Sequence, residues 1–115
     1  MILHITQRQL WETAKNLGTY RSNTLDSEGF IHCSTTAQVL GSANRFFKDQ
    51  TDLVILTIDT SRVKPEIKYE GVEKTNLFPH IYGELNIDAV LQAIDFETDP
   101  NGEFTSLPSE IINLK

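Results

Sequence analysis

The sequence has little cysteine, no long apolar run and no surplus of basic residues. Its single cysteine, Cys33, excludes an internal disulfide and a zinc site built from cysteine pairs, and fits a reducing compartment. The longest apolar run, residues 53–56, is far shorter than the roughly 20 residues that a membrane-spanning helix needs. The first residues carry neither a basic cluster nor an extended apolar stretch. We therefore expect no secretory signal, no membrane partner and a cytoplasmic location.

Acidic side chains outnumber basic ones by 16 to 10, and the imbalance is confined to the second half of the chain. Residues 1–57 carry five groups of each sign, whereas residues 58–115 carry five basic and eleven acidic groups. A chain without a basic patch is a poor partner for DNA or long RNA, because binding to either depends on neutralising phosphates. The neutral N-terminal half is the better host for one small anionic ligand.

The length of 115 residues and the ordinary composition indicate one globular domain spanning residues 1–115. Two helices are predicted in the first half, one ending at Gly18 and one near Lys48. Each is predicted to open on a capping box, Thr6 with Gln9 and Thr35 with Gln38. The predicted strands are residues 2–5, 30–34 and 53–58, a short strand around Ile67 and Tyr69, residues 80–85 with an interruption at Gly83, a strand after one turn within residues 87–97, and a return strand over residues 104–107 after a turn at residues 99–102. Helices first and strands later indicate a mixed α+β domain.

Four side chains are expected to have structural roles. Trp11 and Phe47 follow the apolar spacing of the two helices and are expected in the core. Cys33 alternates with His32 along a strand, so we expect its thiol to face the core, where cysteine is inert. Asp59 ends a buried strand and is expected to order the loop that follows. Residues 19–29 are predicted to form a polar loop.

The candidate functional residues are three histidines, which lie in strand-like segments at His4, His32 and His80. The first two are each followed by a hydroxyl residue, Thr6 or Ser34 with Thr35, at the predicted start of a helix. A helix start offers N–H groups that bind anions, phosphates in particular. The pattern thus indicates a site for phosphates, with histidines that bond ribose hydroxyls. The alternative is that the hydroxyls only cap helices and the histidines are ordinary polar strand residues.

Three alternative functions remain open at this point. A binding module for a nucleotide or peptide without turnover would use the same residues. Three histidines are enough ligands for a catalytic zinc ion. Their spacings along the chain match no metal-binding signature, however, so no metal is predicted. A thiol hydrolase using Cys33 would need that side chain to face the site instead of the core.

Short motifs run along nearly the whole chain. In order they are His4-Ile5-Thr6, Trp11, Ala14, Gly18-x-Tyr20, Leu25-x-x-Glu28-Gly29-Phe30-Ile31-His32-Cys33-Ser34-Thr35, Gln38, Ala43, Leu53, Asp59, Glu70, Phe78-Pro79-His80-Ile81-Tyr82-Gly83, Asp88-Ala89-Val90, Gly102-x-Phe104 and Leu107-Pro108. On these motifs the chain resembles the bacterial and plant family called domain of unknown function 952. The long motifs around His32 and His80 are the specific ones.

The resemblance implies an ADP-ribosyltransferase-like fold, an α+β domain in which a split, bent β-sheet with two N-terminal helices holds NAD in a cleft. It implies NAD as the cofactor and a small-molecule nucleotide as the partner; RNA or protein as the acceptor is not specified by these residues. The histidine on the second strand is similar to that of tRNA 2′-phosphotransferases, which use NAD to remove a phosphate from RNA. The implied activity is therefore transfer or phosphotransfer through NAD.

The resemblance also implies roles for particular residues. The implied NAD-binding residues are His4, Thr6, His32, Ser34, Thr35 and His80. The implied catalytic residues are His32, Glu70 and Tyr82, although the third catalytic position, a glutamate in many transferases, is matched by no single residue among Glu70, His80, Tyr82 and Glu84. Breaking the nicotinamide–ribose bond builds positive charge on the sugar, which a carboxylate such as Glu70 would stabilise.

Three charged residues close to these motifs have two interpretations each. Arg21 and Arg45 are the nearby cations for phosphate oxygens, or else belong to a solvated loop and a helix face. Glu28 either orders the loop at Gly29 by a backbone bond or faces the cleft.

Overall fold

Eight strands and four α-helices form along residues 1–112, the part of the chain that the computed structural model describes. The strands are β1 (Ile2–Gln7), β2 (Thr19–Tyr20), β3 (Ile31–His32), β4 (Leu53–Ile58), β5 (Glu66–Glu70), β6 (Phe78–Tyr82), β7 (Leu85–Asn86) and β8 (Val90–Phe96). The helices are α1 (Arg8–Leu17), α2 (Asn23–Glu28), α3 (Val39–Phe46) and α4 (Ser109–Ile112), with 3₁₀ turns at Thr60–Arg62 and Ile87–Ala89. The predicted mixed α+β class is confirmed. No helix among these residues combines the length and hydrophobicity that crossing a bilayer requires.

Strand β4 is the centre of the first sheet, which has the antiparallel order β1-β4-β8. All six residues of β4 are buried, so the prediction that residues 53–58 are covered on both faces is confirmed. The strand is buried on both faces because the sheet separates two apolar clusters. One contains Ile2, Trp11, Tyr20, Ile31, Cys33, Val54, Leu56, Ile58 and Ile81, and the other contains Leu3, Ile5, Val39, Ala43, Leu53, Ile55, Ile94, Phe96, Phe104 and Ile111.

The second sheet has the antiparallel order β3-β6-β5 and is buried on one face only. Ile31, Ile81 and Ile67 lie opposite one another across the three strands and pack on the first cluster. Because side chains alternate along a strand, their neighbours His32, His80 and Lys68 lie side by side on the outward face. The sheet is joined to the first one by a bridge of two backbone hydrogen bonds between Leu3 and Ser34, both 2.8 Å long.

The ends of α1 and α3 can be compared with the capping boxes and the glycine stop that the sequence predicts. Gly18 adopts φ 88°, the left-handed conformation that glycine takes readily, and ends α1 as predicted. Thr6 does not cap this helix, because β1 continues through Gln7 and the Thr6 hydroxyl is buried against Tyr20. At the other predicted capping box, the Gln38 side chain accepts a hydrogen bond from the Thr35 N–H at 3.0 Å. Helix α3 itself begins at Val39 and ends at Phe46, two residues before the predicted end.

Three predicted segments differ from the structure. The predicted loop over residues 19–29 contains β2 and α2; α2 has no buried residue, so it leaves no apolar periodicity to detect. The predicted strand over residues 30–34 shortens to β3 and the Ser34 bridge. The return strand over residues 104–107 is absent, because the side chain of Asn44 takes both backbone hydrogen bonds of Phe104. The predicted turn followed by a strand within residues 87–97 is confirmed.

Candidate functional site

The outward face of the second sheet gathers most of the chemically versatile side chains of the sequence motifs. We call it the histidine face and define it by Glu28, Phe30, His32, Lys68, Glu70, His80 and Tyr82. These residues come from the end of α2, the loop before β3, and strands β3, β5 and β6. They converge because the strands pair in antiparallel register, with His32 opposite His80 and His80 opposite Lys68.

Aromatic rings form the floor of the histidine face. The rings of Phe30 and His80 are stacked, with centroids 4.0 Å apart and planes inclined by 16°. His32 meets both of them edge-on, with centroids 4.8 Å from Phe30 and 5.1 Å from His80. Tyr82 lies 5.3 Å from Phe30. The result is a partly exposed aromatic surface of the kind on which a planar ligand ring stacks.

A carboxylate lies against this surface and is shared by two donors. His80 Nδ1 lies 3.0 Å from Glu70 Oε1, and the Tyr82 hydroxyl donates to the same oxygen. The bond from Tyr82, and then that from His80, lowers the pKa of Glu70, so its carboxyl group is ionised at neutral pH. The same bond to Glu70 raises the pKa of Tyr82, which keeps its proton. Glu70 is therefore a fixed negative charge beside two rings.

The second histidine of the face is held more loosely. His32 Nε2 lies 2.9 Å from Glu28 Oε2, and both side chains are 48% exposed. Glu28 thus turns toward the face, which is the second of its two sequence interpretations. Lys68 places its ammonium group 4.8 Å above the centre of the Tyr82 ring. Lys68 was missed by sequence reasoning, because only the pairing of β5 with β6 brings it beside His80.

His4 reaches the same region from the protein interior. Its side chain is buried, with Nδ1 2.6 Å from the carbonyl oxygen of His32 and Nε2 2.7 Å from the Tyr20 hydroxyl. The Tyr20 hydroxyl also lies 2.9 Å from Thr6 Oγ1. Burial lowers the pKa of His4 to about 4, so the ring is neutral at neutral pH. A carbonyl only accepts, so Nδ1 of the neutral ring carries the proton and donates it to the His32 carbonyl.

The remaining residues that the resemblance associates with NAD lie away from the exposed face. The hydroxyls of Thr6 and Ser34 are buried, and that of Ser34 bonds Ser42 at 3.2 Å. Thr35 is half-buried at the turn that leads into α3. The structure therefore brings together the side chains of His32, Glu70, His80 and Tyr82, and it separates them from those of Thr6 and Ser34.

The two candidate cations for phosphate have other neighbours. Arg21 pairs with Asp26 and also lies 3.4 Å from Glu84. Arg45 lies on α3, with its guanidinium carbon 5.2 Å from the centre of the Phe46 ring. A surface groove of about 750 Å³, lined in part by Lys64, Glu84 and Asp88, contains none of the three histidines. The side chains of the motifs and this groove are therefore in different places, and the groove is open to solvent.

The side chains expected in the core are largely where they were predicted. Trp11 is buried, and Phe47 is partly buried against the second cluster. Asp59 accepts hydrogen bonds from the backbone and hydroxyl of Ser61, which orders the 3₁₀ turn as predicted. Among residues 1–112, no three histidine, cysteine or acidic side chains are grouped as metal ligands, and both nitrogens of His4 are already bonded.

Cys33 is expected to be structural and chemically inert. Its side chain is 3% exposed, and burial raises the pKa of the thiol, so little thiolate forms at neutral pH. Changing Cys33→Ala should lower the free energy of unfolding by about 1–2 kcal/mol, as small core deletions do. Denaturant unfolding measures this loss. Stoichiometric labelling of the native thiol within seconds at neutral pH would contradict the prediction.

The fold and the face define a class of small α+β protein in which a half-buried sheet carries paired histidines and carboxylates on its outer side. The chain belongs to the family described as protein of unknown function (DUF952), which matches residues 5–93. The crystal structure of protein CC0527 from Caulobacter crescentus is similar, with a TM-score of 0.82 at 30% identity over 90% of this chain and 92% of that chain. The solution NMR structure of CC0527 gives a TM-score of 0.78 at 30% identity, covering 90% of each chain. No curated protein matches this chain.

Proposed function

We propose that the histidine face binds a nucleotide of the NAD or ADP-ribose type, and that the protein acts on it as a transferase or phosphotransferase. One observation carries the proposal: a stack of partly exposed rings and an ionised carboxylate, Glu70, occupy the same side of one sheet. A nucleotide has the complementary parts, which are a planar ring, hydroxyl donors and phosphates.

Each part of such a ligand has a chemical partner on the face. A nicotinamide or adenine ring would stack on the surface made by Phe30 and His80. Ribose hydroxyls would donate to Glu70, whose Oε2 takes part in none of the hydrogen bonds formed among residues 1–112. His32 is exposed and offers a further ring nitrogen. Lys68 supplies a positive charge for a phosphate oxygen.

The arrangement of the two sheets supports the same proposal. The first and second sheets are separate three-stranded units, connected through the short bridge between Leu3 and Ser34. A split sheet of this kind is what an ADP-ribosyltransferase-like fold requires. In this proposal His4 has a supporting role, because its ring nitrogens are bonded to Tyr20 and to the backbone of His32. The ligand contacts therefore come from the second sheet.

Titration with NAD and with ADP-ribose, followed by NMR of the histidine side chains, tests the binding. We expect the signals of His32 and His80 to shift with a dissociation constant between micromolar and millimolar, about −8 to −4 kcal/mol, because few cations face the ligand. Changing His32→Ala should weaken binding by about 1–3 kcal/mol, since a hydrogen-bond partner on the ligand is lost. Gln9→Ala, an exposed change on α1, is the control and should leave the affinity unchanged.

Two results would decide against parts of this proposal. If neither nucleotide moves the signals of His32 or His80 at several millimolar, the nucleotide site is wrong. If NAD binds but is not consumed over hours, the protein is a nucleotide-binding module without turnover, which is the alternative that the sequence left open.

A further inference from the structure

We propose that His80 is the general base of this site, and that it takes the proton from a hydroxyl acceptor as an ADP-ribosyl group is transferred. The inference rests on the proposed function and adds the class of acceptor, water or an alcohol, and the atom that receives the proton, Nε2 of His80. It differs from the roles that the resemblance implies, in which His80 only binds NAD.

The hydrogen bonds of His80 fix which of its nitrogens is reactive. Glu70 is ionised and can only accept, so the bond of 3.0 Å between the two side chains requires the proton on Nδ1. The lone pair of the neutral ring is then on Nε2. Every buried polar side-chain atom among residues 1–112 has a hydrogen-bond partner, and Nε2 of His80 has none. It follows that Nε2 is not fully buried, and a substrate hydroxyl would approach it from the solvent side.

The surroundings of His80 hold it more firmly than those of His32. The His80 side chain is 12% exposed and stacks on Phe30, whereas the His32 side chain is 48% exposed. The partner carboxylate of His80 is itself anchored, because Tyr82 donates to the same oxygen of Glu70. A base that a neighbouring group orients, as Glu70 orients His80, is the arrangement that nucleophile activation uses in enzymes. Glu28, the partner of His32, is bonded by no such third group among residues 1–112.

The proposed step balances without another reactant. The bond between C1′ of the ribose and the nicotinamide nitrogen breaks, and its electron pair leaves with nicotinamide as a neutral molecule. The acceptor oxygen forms a bond to C1′ and its proton moves to Nε2 of His80. The protonated ring is stabilised by Glu70, and the proton is later released to water. With water as the acceptor the products are ADP-ribose and nicotinamide.

The variant His80→Asn separates this role from a structural one. The asparagine amide can occupy the position of Nδ1 and donate to Glu70, but it has no atom at the position of Nε2. We expect the loss of one stacking ring to weaken NAD binding by up to about tenfold, while nicotinamide release at saturating NAD falls about 100-fold. Tyr82→Phe removes the anchor of Glu70 and should lower the rate about tenfold. Glu12→Gln, an exposed change on α1, should leave both measurements unchanged.

NMR of ¹⁵N-labelled side chains gives a second measurement that needs no turnover. We expect the neutral His80 ring in the wild type to carry its proton on Nδ1, and we expect Tyr82→Phe to shift the ring toward a mixture of the two tautomers. A proton found on Nε2 overturns the inference. So does unchanged nicotinamide release in His80→Asn, or NAD that binds without being consumed. If NAD does not bind at all, the titration shows that the proposed function itself has failed.

Discussion

Lowering the pH from 6.5 to 4 is expected to cost the protein about 3 kcal/mol of folding stability through His4 alone. In the unfolded chain this histidine takes up a proton near pH 6.5, but burial in the folded protein delays the uptake until about pH 4. Between these values the unfolded state holds more protons, so the free energy of unfolding falls as the pH falls. Above pH 6.5 the contribution is complete, and below pH 4 no more is lost.

Denaturant unfolding at a series of pH values measures this effect, and His4→Asn is the matched control. The asparagine amide can still donate to the His32 carbonyl, but it does not titrate. Acidic groups contribute to acid unfolding in both proteins, so the difference between the two curves isolates His4. We expect the difference between the two curves to change with pH, between pH 4 and 6.5, with the slope that corresponds to close to one bound proton. Parallel curves, or an NMR titration of His4 centred near 6.5, would show that the ring is not held neutral by burial.

The elements that sequence reasoning predicted well are those whose signal is local. The unbroken apolar run of β4 can only be satisfied by burial on both faces, and Gly18 marks the end of α1 by its own conformational freedom. Helix α2 and strand β2 were missed because they are short and owe their existence to what they touch. Tyr20 pairs with Leu85 in β7 and bonds His4, and none of these contacts leaves a periodic pattern near Tyr20.

The candidate site was also predictable only in part, because some of its signals are local in the sequence and others depend on long-range contacts. The motif around His32 and the motif around His80 were both identified, and alternation correctly placed Cys33 opposite His32. Alternation along β1 puts His4 on the same face as Ile2, but alternation alone does not show that the second sheet covers this face. A strand histidine that another sheet covers bonds other residues of the protein, whereas an uncovered one is accessible to a ligand. Long-range packing decides which of the two applies.

The histidine face and the buried His4 are connected through one peptide group. The His32 carbonyl accepts a hydrogen bond from His4 inside the protein, while the His32 ring lies outside beside Glu28. The bond of 2.6 Å therefore fixes the backbone from which the exposed ring extends. The His-Ile-Thr segment therefore lies behind the histidine face and not on it. His4 supports the backbone of β3 from inside the protein, and β3 and β6 carry the outward His32 and His80 side chains.

The last large effect concerns the segment that was predicted as a strand over residues 104–107. Asn44 Nδ2 donates to the Phe104 carbonyl at 2.8 Å, and the Phe104 N–H donates to Asn44 Oδ1 at 2.7 Å, so one side chain replaces a strand partner. These bonds hold the Phe104 ring, which is buried and stacked on Phe96 at 4.4 Å.

Asn44→Ala leaves both backbone groups of Phe104 without partners and should lower the free energy of unfolding by about 2–4 kcal/mol, measured by denaturant unfolding. Asn101→Ala, in the exposed turn just before, should change it by less than about 0.5 kcal/mol. Equal stabilities of the two variants would mean that the segment is held by apolar packing alone.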